Sequence, residues 1–367
     1  MKFPFLTKRA RAAVPRAPWL SAWTQSDPPR SYESQVRAAF LSNPIAQRSV
    51  RLVAEGVAGA PLASNPAGHP ALALLGRDGA LLETLAANLL LHGNAYVEVG
   101  IGAAGLPVAL YALRPERITV EADASGWPVA YLYRAGDTAT RYPVVTRGDT
   151  VGLLHLRAYH PLDDHYGLGC LGAAAAAVDV HNAAAKWNKS LLDNAARPSG
   201  ALIYEPGDGS ALSAAQFERL KDQMGEQYMG AANAGRPMLL DGGMRWQSLA
   251  LTPAEMDFVR VRDTASREIA LAFGVPPMLL GLPGDATYAN YREANMALWR
   301  LTLLPLCARI LGGLSRHLAD WWPGLVIDID RDRVPALSED RERLWGQVAG
   351  ATFLSDDEKR GLLGVGA

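Results

Sequence analysis

The stretch HLRAYHPLDDHYG concentrates side chains that could hold a metal ion. Imidazole and carboxylate groups are the ligands that zinc and manganese prefer in metal-dependent hydrolases. Their spacing, however, lacks the fixed helical interval of a motif such as HExxH. We therefore interpret the stretch as a polar surface loop, expect no metal there, and keep a metal-dependent hydrolase as an alternative. The candidate ligands are His155, His160, Asp163, Asp164 and His165.

A second motif, GLGCLG from Gly167 to Gly172, matches the GxGxxG fingerprint of dinucleotide-binding proteins. In that fingerprint the first glycine follows a strand directly, and an acidic residue comes about 20 residues later. Here a segment with a proline and two aspartates intervenes, and Glu205 comes 38 residues after Gly167. We favour a glycine-rich helix start and keep a nicotinamide-dependent oxidoreductase as the other alternative.

Composition limits the remaining classes of function. The chain has 367 residues, 49% of them apolar, which is enough for two or three packed domains. Lysine and arginine number 36 against 37 acidic residues, so the molecule lacks the basic field of a tight nucleic-acid binder. Cys170 and Cys307 are far apart, which favours reduced thiols in a cytoplasmic protein. We expect no membrane span, and the alanine run after Cys170 is the stretch that comes nearest to one.

The first half of the chain predicts two helices followed by a sheet. Residues 1–30 are basic and rich in proline, which predicts a poorly ordered arm. Helical patterns follow in NPIAQRSVRLVAEGVAG and in LLETLAANLLLHGN, the latter stopped by Gly93 and Asn94. Between Ala95 and Leu156 the apolar period changes to two, which predicts short antiparallel strands.

The second half is mainly helical. An alanine-rich helix is predicted over Leu171–Asn194, and Ser213 with Gln216 forms the capping box of another helix. A hairpin is predicted around Asp241-Gly242-Gly243, and Thr252 with Pro253 begins the next helix. The longest helical pattern runs from Thr287, which can cap it, to Trp322 and should be kinked at Pro305. Gly312-Gly313 should weaken that helix again, and Pro323 should end it. A C-terminal helix is predicted with Ser355 and Glu358 as its capping box.

Several motifs in a fixed order carry a resemblance to a known family. They are HGNAYVEV, LRPERITVE, NAARPSGALI, NAGRPMLLDGGMRWQSL, REIALAFGVPPMLLG, TYANYREAN and TLLPLCARI. In that order the chain resembles the portal proteins of tailed double-stranded DNA phages of the siphovirus type, or of a phage-like gene transfer agent. The resemblance implies an α+β phage-portal fold with a β-rich wing, a helical stem with a hairpin clip, a long kinked helix and a short helical crown.

The resemblance also implies a division of the chain. The expected parts are a basic arm (1–30), the wing (31–212), a stem helix (213–230), the clip (231–251), a second stem helix (252–274), the tunnel loop (275–286), the kinked helix with the wing return (287–333) and the crown (334–367). It further implies a ring of about twelve subunits at one capsid vertex, through which DNA is packaged, retained and ejected. Such a ring is a conduit with no active site, metal or cofactor.

By the same resemblance, two groups of residues should contact partners. The tunnel loop would narrow the channel around double-stranded DNA with Gly281, Leu282, Pro283, Gly284, Asp285, Ala286, Thr287 and Tyr288. The clip would meet the head-to-tail connector (adaptor) and the terminase large subunit with Asp241, Gly242, Gly243, Arg245 and Trp246. The absence of lysine and arginine between Phe273 and Tyr291 suits a steric collar that does not trap phosphate.

The resemblance also has implications for further partners and for the place of assembly. The major capsid protein would be a further partner, no membrane would be involved, and assembly would take place in the bacterial cytoplasm before the ring enters the particle. The net charge of −1 suits a conduit, because every phosphate that is firmly neutralised adds affinity that would slow passing DNA.

Overall fold

The computed structural model describes residues 31–76, 79–144, 152–193, 200–205, 213–228, 244–248, 258–283 and 287–364. Its helices are α1 (Tyr32–Val36), α2 (Pro44–Ala58), α3 (Ala71–Leu74), α4 (Ala80–Leu91), α5 (Leu171–Asp193), α6 (Ala214–Tyr228), α7 (Phe258–Ala272), α8 (Tyr288–Leu298), α9 (Leu304–Leu318), α10 (Ser338–Gly350) and α11 (Asp356–Leu363). Its strands are β1 (Leu62–Asn65), β2 (Asn94–Ile101), β3 (Pro107–Leu113), β4 (Ile118–Ala122), β5 (Pro128–Ala135), β6 (Thr138–Pro143), β7 (Leu154–Arg157), β8 (Gly200–Tyr204), β9 (Met244–Ser248) and β10 (Val326–Ile329). The predicted arm, the Asp241-Gly242-Gly243 turn and the predicted helix start at Thr252 lie outside these residues.

The two predicted helices of the first domain are confirmed as α2 and α4. Asn43 caps α2, since its Oδ1 accepts from the backbone amides of Ile45 and Ala46 at 3.0 Å each. Helix α4 ends at the predicted stop, where Gly93 takes a φ of +83° that L-residues rarely adopt. The apolar faces of both helices contribute to the main core.

The predicted antiparallel strands are also confirmed, as two three-stranded sheets with the orders β3-β2-β7 and β4-β5-β6. Every pairing within these sheets is antiparallel. A small second core of Tyr96, Ile118 and Leu153 packs between them, separate from the main core. The polypeptide therefore forms a β-rich unit beside a helical one.

Helix α7 packs mainly along α5. Residues Ala174, Ala177 and Val178 of α5 are buried, as are Ala265 and Ile269 of α7, so small side chains let the two helices approach closely. The resemblance instead implied that the helix after Ser213 forms the stem together with α7. That helix, α6, exists with its predicted capping box, and its Phe217 side chain is exposed.

The second strand of the predicted hairpin, β9, pairs with a more distant segment, and the hairpin itself stays a prediction. Strand β9 pairs antiparallel with β8, so that Leu202 lies opposite Trp246 and Tyr204 opposite Met244. The first strand of the predicted hairpin lies outside the described residues. A hairpin signal is local, whereas this pairing joins the segments on either side of α6, so spacing could not reveal it.

The longest predicted helix is divided by a π-helical turn, Trp299–Leu303, between α8 and α9. Pro305 follows directly and cannot donate to the carbonyl of Leu301, so the widened turn lies where an α-helical bond would be lost. Helix α9 continues through Gly312-Gly313, and a Cβ at Gly313 would overlap Leu156 of β7, so the glycine allows close packing there. That the glycines weaken the helix stays a prediction. The expected end at Pro323 was wrong, since α9 ends at Leu318.

The C-terminal part closes the fold. Strand β10 pairs with β1, and the predicted capping box of Ser355 and Glu358 is present at the start of α11. One described helical stretch, Tyr288–Leu318, is long and apolar enough to cross a membrane by length and composition, where the sequence had pointed to the alanine run after Cys170. Its apolar side packs into the main core through residues such as Ile310 and Leu314, which accounts for the composition.

Candidate functional site

The segment between α7 and α8 is fixed at its first end by Gly274. This residue has a φ of +67°, and a Cβ there would lie 2.8 Å from Thr302 Oγ1. Thr302 lies in the π-helical turn, and its hydroxyl donates to the Gly274 carbonyl oxygen at 2.6 Å. Only glycine fits both the backbone angle and the space. The end of α7 is therefore attached to the middle of the long helical stretch.

The segment then makes a short 3₁₀ turn, Pro277–Leu280, that ends at Gly281. Gly281 has a φ of +72°, and a Cβ there would meet nothing within 4 Å, so the backbone angle alone requires glycine. A side chain that the sequence analysis missed reaches this segment from α7, since Arg267 donates to the Pro283 carbonyl oxygen. No signal in the sequence marks that contact, because an arginine on an exposed helix face usually faces solvent.

The second end of the segment is the cap of α8. Thr287 Oγ1 accepts from the backbone amide of Asn290 at 3.2 Å, as predicted. The next residue, Tyr288, is 84% exposed. Residues 284–286 lie outside the described part of the chain, so of the eight predicted loop residues the structure describes Gly281, Leu282, Pro283, Thr287 and Tyr288.

Helix α7 presents an unusual surface beside this segment. Its exposed side carries the apolar side chains of Val259 and Leu271, which are 72% and 78% exposed, together with Arg260, Arg262 and Glu268. Large apolar side chains that are exposed on a helix are candidates for a contact surface.

A pocket of about 280 Å³ opens on the flank of α7 that faces α5 and the start of α2. Ile45, Val259 and Leu282 supply apolar walls, and His181, Arg262 and Asp263 supply polar groups. His181 is buried, and its pKa is lowered by burial first and by the neighbouring Arg262 charge second. The imidazole is therefore neutral near pH 7.

Of the predicted clip residues, the structure describes two. Arg245 and Trp246 lie on β9, opposite Ile203 and Leu202 of β8, and the Arg245 side chain is exposed. Asp241, Gly242 and Gly243 lie outside the described residues. The structure therefore brings the described clip residues onto a two-stranded sheet with β8, a strand that was expected to belong to the wing.

The histidine and aspartate stretch has separate structural roles. His155 stacks on Tyr96 with ring centroids 4.3 Å apart and donates from Nε2 to Asn94 Oδ1 at 2.9 Å. Burial lowers the pKa of His155 to about 3, so its ring is neutral. Asp163 accepts from the backbone amides of His165 and Tyr166, which lowers its own pKa. Within the described residues, no three histidine, cysteine or acidic side chains converge as a metal site would need.

The glycines of GLGCLG serve close backbone packing. A Cβ at Gly167 would overlap the Gly93 carbonyl oxygen, and one at Gly169 would lie 2.5 Å from the Leu91 carbonyl oxygen. The end of α4 fills the space that a pyrophosphate would need. The preceding strand, β7, also belongs to an antiparallel sheet and not to a parallel βαβ unit. Neither alternative enzyme is supported by this geometry.

A β-rich unit, a packed pair of helices, an anchored loop and a divided long helix define an α+β protein of the phage-portal class. The family described as "Phage portal protein" matches residues 44–364, and the chain belongs to it. An uncharacterized protein of Rickettsia bellii (strain RML369-C) is 40% identical over 89% of this chain and 88% of its own length. The probable portal protein of Streptomyces phage phiC31 is 28% identical over 78% of this chain and 63% of its own length.

Two solved structures are also similar to this chain. A chain in the neck of a native gene transfer agent particle, computed with C12 symmetry, is 46% identical and has a TM-score of 0.70, with 92% of this chain and 94% of that chain covered. An HK97-family phage portal protein from Corynebacterium diphtheriae has a TM-score of 0.57 at 16% identity, over 82% of this chain and 95% of that chain. The second similarity concerns the fold alone.

Proposed function

We propose that twelve copies of this chain form a ring at one vertex of a phage-like particle and conduct double-stranded DNA through its channel. The observation that carries the proposal is the 46% identity, over 92% of the chain, to a component of a particle neck with C12 symmetry. In this role the ring serves packaging, retention and ejection of DNA, and it has no catalytic activity of its own. A gene transfer agent is the kind of particle that the similarity favours.

The exposed surface of α7 supports a ring. Val259 and Leu271 are apolar and exposed in the single chain, and Arg260 and Glu268 add charge to the same helix. A head-to-tail contact joins two different faces of neighbouring copies and closes into a ring when the rotation fits. The side chains exposed on α7 would then be covered by the next copy.

The packing of α7 along α5 supports a revised division of the chain. We assign the stem to α5 and α7, because these two helices share a close, small-residue contact. The clip then extends over residues 194–257, and β8 and β9 hold the two ends of this insertion together beside α6. Asp241, Gly242, Gly243, Arg245 and Trp246 remain within it, as the surface for the connector and the terminase large subunit.

The two anchors of the segment after α7 support its assignment as the tunnel loop. Gly274 and the Arg267 contact fix one end, and the Thr287 cap fixes the other. Between them, residues 281–288 form a collar around DNA that acts by shape, while Asp285 repels phosphate and keeps the path slippery. The collar would hold the duplex without strong electrostatic attachment.

The loop assignment is tested by removing residues 282–286 from the chain in a particle-forming host. We expect rings to assemble normally, while the amount of packaged or retained DNA falls severalfold, because the shortened loop cannot reach the duplex. A Gly/Ser segment of equal length in place of residues 282–286 is the control for reach. Full packaging with normal retention in the shortened variant would show that the segment only connects two helices.

Further partners follow from the same role. The major capsid protein would surround the ring, the connector and the terminase large subunit would bind the clip in turn, and assembly would occur in the bacterial cytoplasm. The support for these partners is the family and the particle neck to which the chain is similar.

A further inference from the structure

The loop between β7 and α5 presents two large apolar side chains to solvent. Tyr159 is 81% exposed and Leu162 is 90% exposed. Both belong to the stretch HLRAYHPLDDHYG, whose histidine and acidic side chains form no metal site among the described residues. Tyrosine is enriched in the contact surfaces between proteins, and exposed apolar side chains on a well-fixed loop are candidates for such a contact.

Both ends of this loop are fixed to the end of α4. The Ala158 amide donates to the Gly93 carbonyl oxygen at 2.7 Å. The Gly167 amide donates to Asn94 Oδ1, also at 2.7 Å. Residues 158–167 therefore form a compact loop whose ends lie together, in the manner of an Ω-loop.

Hydrogen bonds inside the loop fix its shape. Asp163 Oδ1 accepts from the backbone amides two and three residues later, at 2.7 and 2.9 Å. His160 Nδ1 accepts from the backbone amide of Leu162 at 3.0 Å. The Tyr166 hydroxyl accepts from the Val120 amide at 2.8 Å and so connects the loop to β4. The tip is held in place before any partner binds, and a preorganised surface loses less conformational entropy on binding.

A matching surface lies on α7, on the side turned away from α5. Leu271 follows the buried Ile269 by two positions, ~200° around the helix, and it is 78% exposed. Arg267 precedes Leu271 by about one turn, so it lies ~6 Å away along the same side and is exposed. Its guanidinium donates to the Pro283 carbonyl oxygen and has further N–H groups for a second acceptor. This side of α7 therefore combines an apolar and a positively charged side chain.

The tip of the loop has the same pattern with the opposite charge. Leu162 is followed two residues later by Asp164, which is exposed and forms no ion pair with a described residue. Two residues of chain span at most ~7 Å. This spacing is comparable with the ~6 Å between Leu271 and Arg267. An apolar contact and an ion pair can therefore form side by side.

The packing of α5 and α7 places the two surfaces at the same level of the molecule. Arg262 of α7 donates to His181 of α5. Asn188, which comes later in α5, lines a pocket with Val259, which comes earlier in α7. The two helices are therefore antiparallel, and the start of α5 with its loop lies level with the end of α7. Rotation about the channel of the proposed ring involves no rise, so surfaces at one level of the stem meet in successive copies.

We propose that residues 158–167 of one copy dock on α7 of the next copy, with Leu162 against Leu271 and Asp164 paired with Arg267. This inference rests on the proposed ring and names a contact that closes it. The partner of the loop is then a second copy of this chain, which the similarity to a component of a neck with C12 symmetry favours. The ion pair adds specificity for the correct register, because a shifted neighbour leaves both charges unpaired.

Charge reversal tests the register of this contact. Asp164→Arg and Arg267→Asp should each raise the subunit concentration needed for half-maximal ring assembly by about tenfold, because each places like charges in contact. The double variant restores an opposite pair at every interface and should recover most of the assembly. Since Arg267→Asp also removes the Pro283 contact, this recovery isolates the part that acts between copies. Native mass spectrometry measures assembly, and thermal melting verifies that each variant is folded.

A matched control has the same two charge changes in a different register. Arg260 lies on the same side of α7 as Arg267 but ~10 Å farther from Leu271. Asp164→Arg combined with Arg260→Asp should therefore assemble as poorly as Asp164→Arg alone. Recovery in this control equal to that of the first double variant would show a general charge effect and would overturn the proposed register.

Covalent trapping tests the apolar part of the contact. Leu162→Cys with Leu271→Cys should give a ladder of covalent oligomers on mild oxidation, which neither single variant gives. The native Cys170 and Cys307 are present in all of these variants, so the single variants control for them.

The outcomes separate this contact from the proposed function. Rings of the unmodified chain, with no recovery in the Asp164→Arg/Arg267→Asp variant and no ladder, would overturn the contact and leave the proposed function intact. Rings of Leu162→Asp that assemble like the unmodified chain but fail to enter particles would assign the loop to the major capsid protein and would also overturn the contact. Absence of rings in the unmodified chain would contradict the proposed function, and the contact with it.

Discussion

At the scale of single residues, the side chains that most resembled a metal-binding or dinucleotide-binding site contribute to packing and hydrogen bonding. Sequence spacing was sufficient to weaken the metal and dinucleotide hypotheses, because both motifs missed a required interval. Spacing could not show which structural roles these residues have instead. The overlap of Gly167 with Gly93, and the stacking of His155 on Tyr96, depend on segments that are distant in the chain.

The glycines of GLGCLG provide a residue-scale prediction. Gly167→Ala should cost about 3 kcal/mol or more of unfolding free energy, because the new methyl group meets the Gly93 carbonyl and neither backbone can move freely. Gly172→Ala is the matched control. A Cβ at Gly172 meets nothing within 4 Å, and alanine favours the helix by up to about 1 kcal/mol. Urea unfolding followed by tryptophan fluorescence measures both, and equal stability of the two variants would contradict the packing described here.

At the scale of elements, local sequence signals predicted helix caps and strands, but they did not predict which distant elements pack or pair with each other. The predicted caps at Ser213, Thr287 and Ser355 involve neighbours within a few residues, and the alternation of β2 to β7 repeats along each strand. The partnership of α7 with α5 and of β9 with β8 depends on contacts across long insertions. The sequence identified Pro305 as the place where the long helix is interrupted. The π-helical turn begins earlier, at Trp299, because the helix widens before the proline. The bend of the helix axis stays a prediction.

The attachment of α10 to the long helical stretch gives an element-scale prediction. Arg292 pairs with Glu339 at 2.6 Å, and Arg300 pairs with Asp340, which also binds Arg343. The Glu339 side chain is 59% exposed and that of Asp340 is 28% exposed. Arg300→Gln should therefore destabilise the attachment by about 1 kcal/mol, whereas Arg292→Gln should cost less than about 0.5 kcal/mol. Hydrogen exchange over residues 338–363 measures the difference, and a larger effect at Arg292 would contradict this ranking.

At the scale of the whole molecule, the order of medium-strength motifs predicted the family, which the comparisons confirm. A single chain carries less information about how copies meet. The exposed apolar side chains of Val259 and Leu271 on α7 are the feature of the single chain that supports the proposed assembly. Composition could not reveal this feature, because exposure exists only after folding.

The most direct test of the ring is the mass of the assembled chain, measured by native mass spectrometry under conditions in which portal rings persist. The account predicts a closed species of twelve subunits, each of 39.3 kDa, that carries no cofactor or metal. A neighbouring stoichiometry such as eleven or thirteen would revise the number and keep the ring. A stable monomer or dimer that retains a nucleotide or a metal ion would contradict the account.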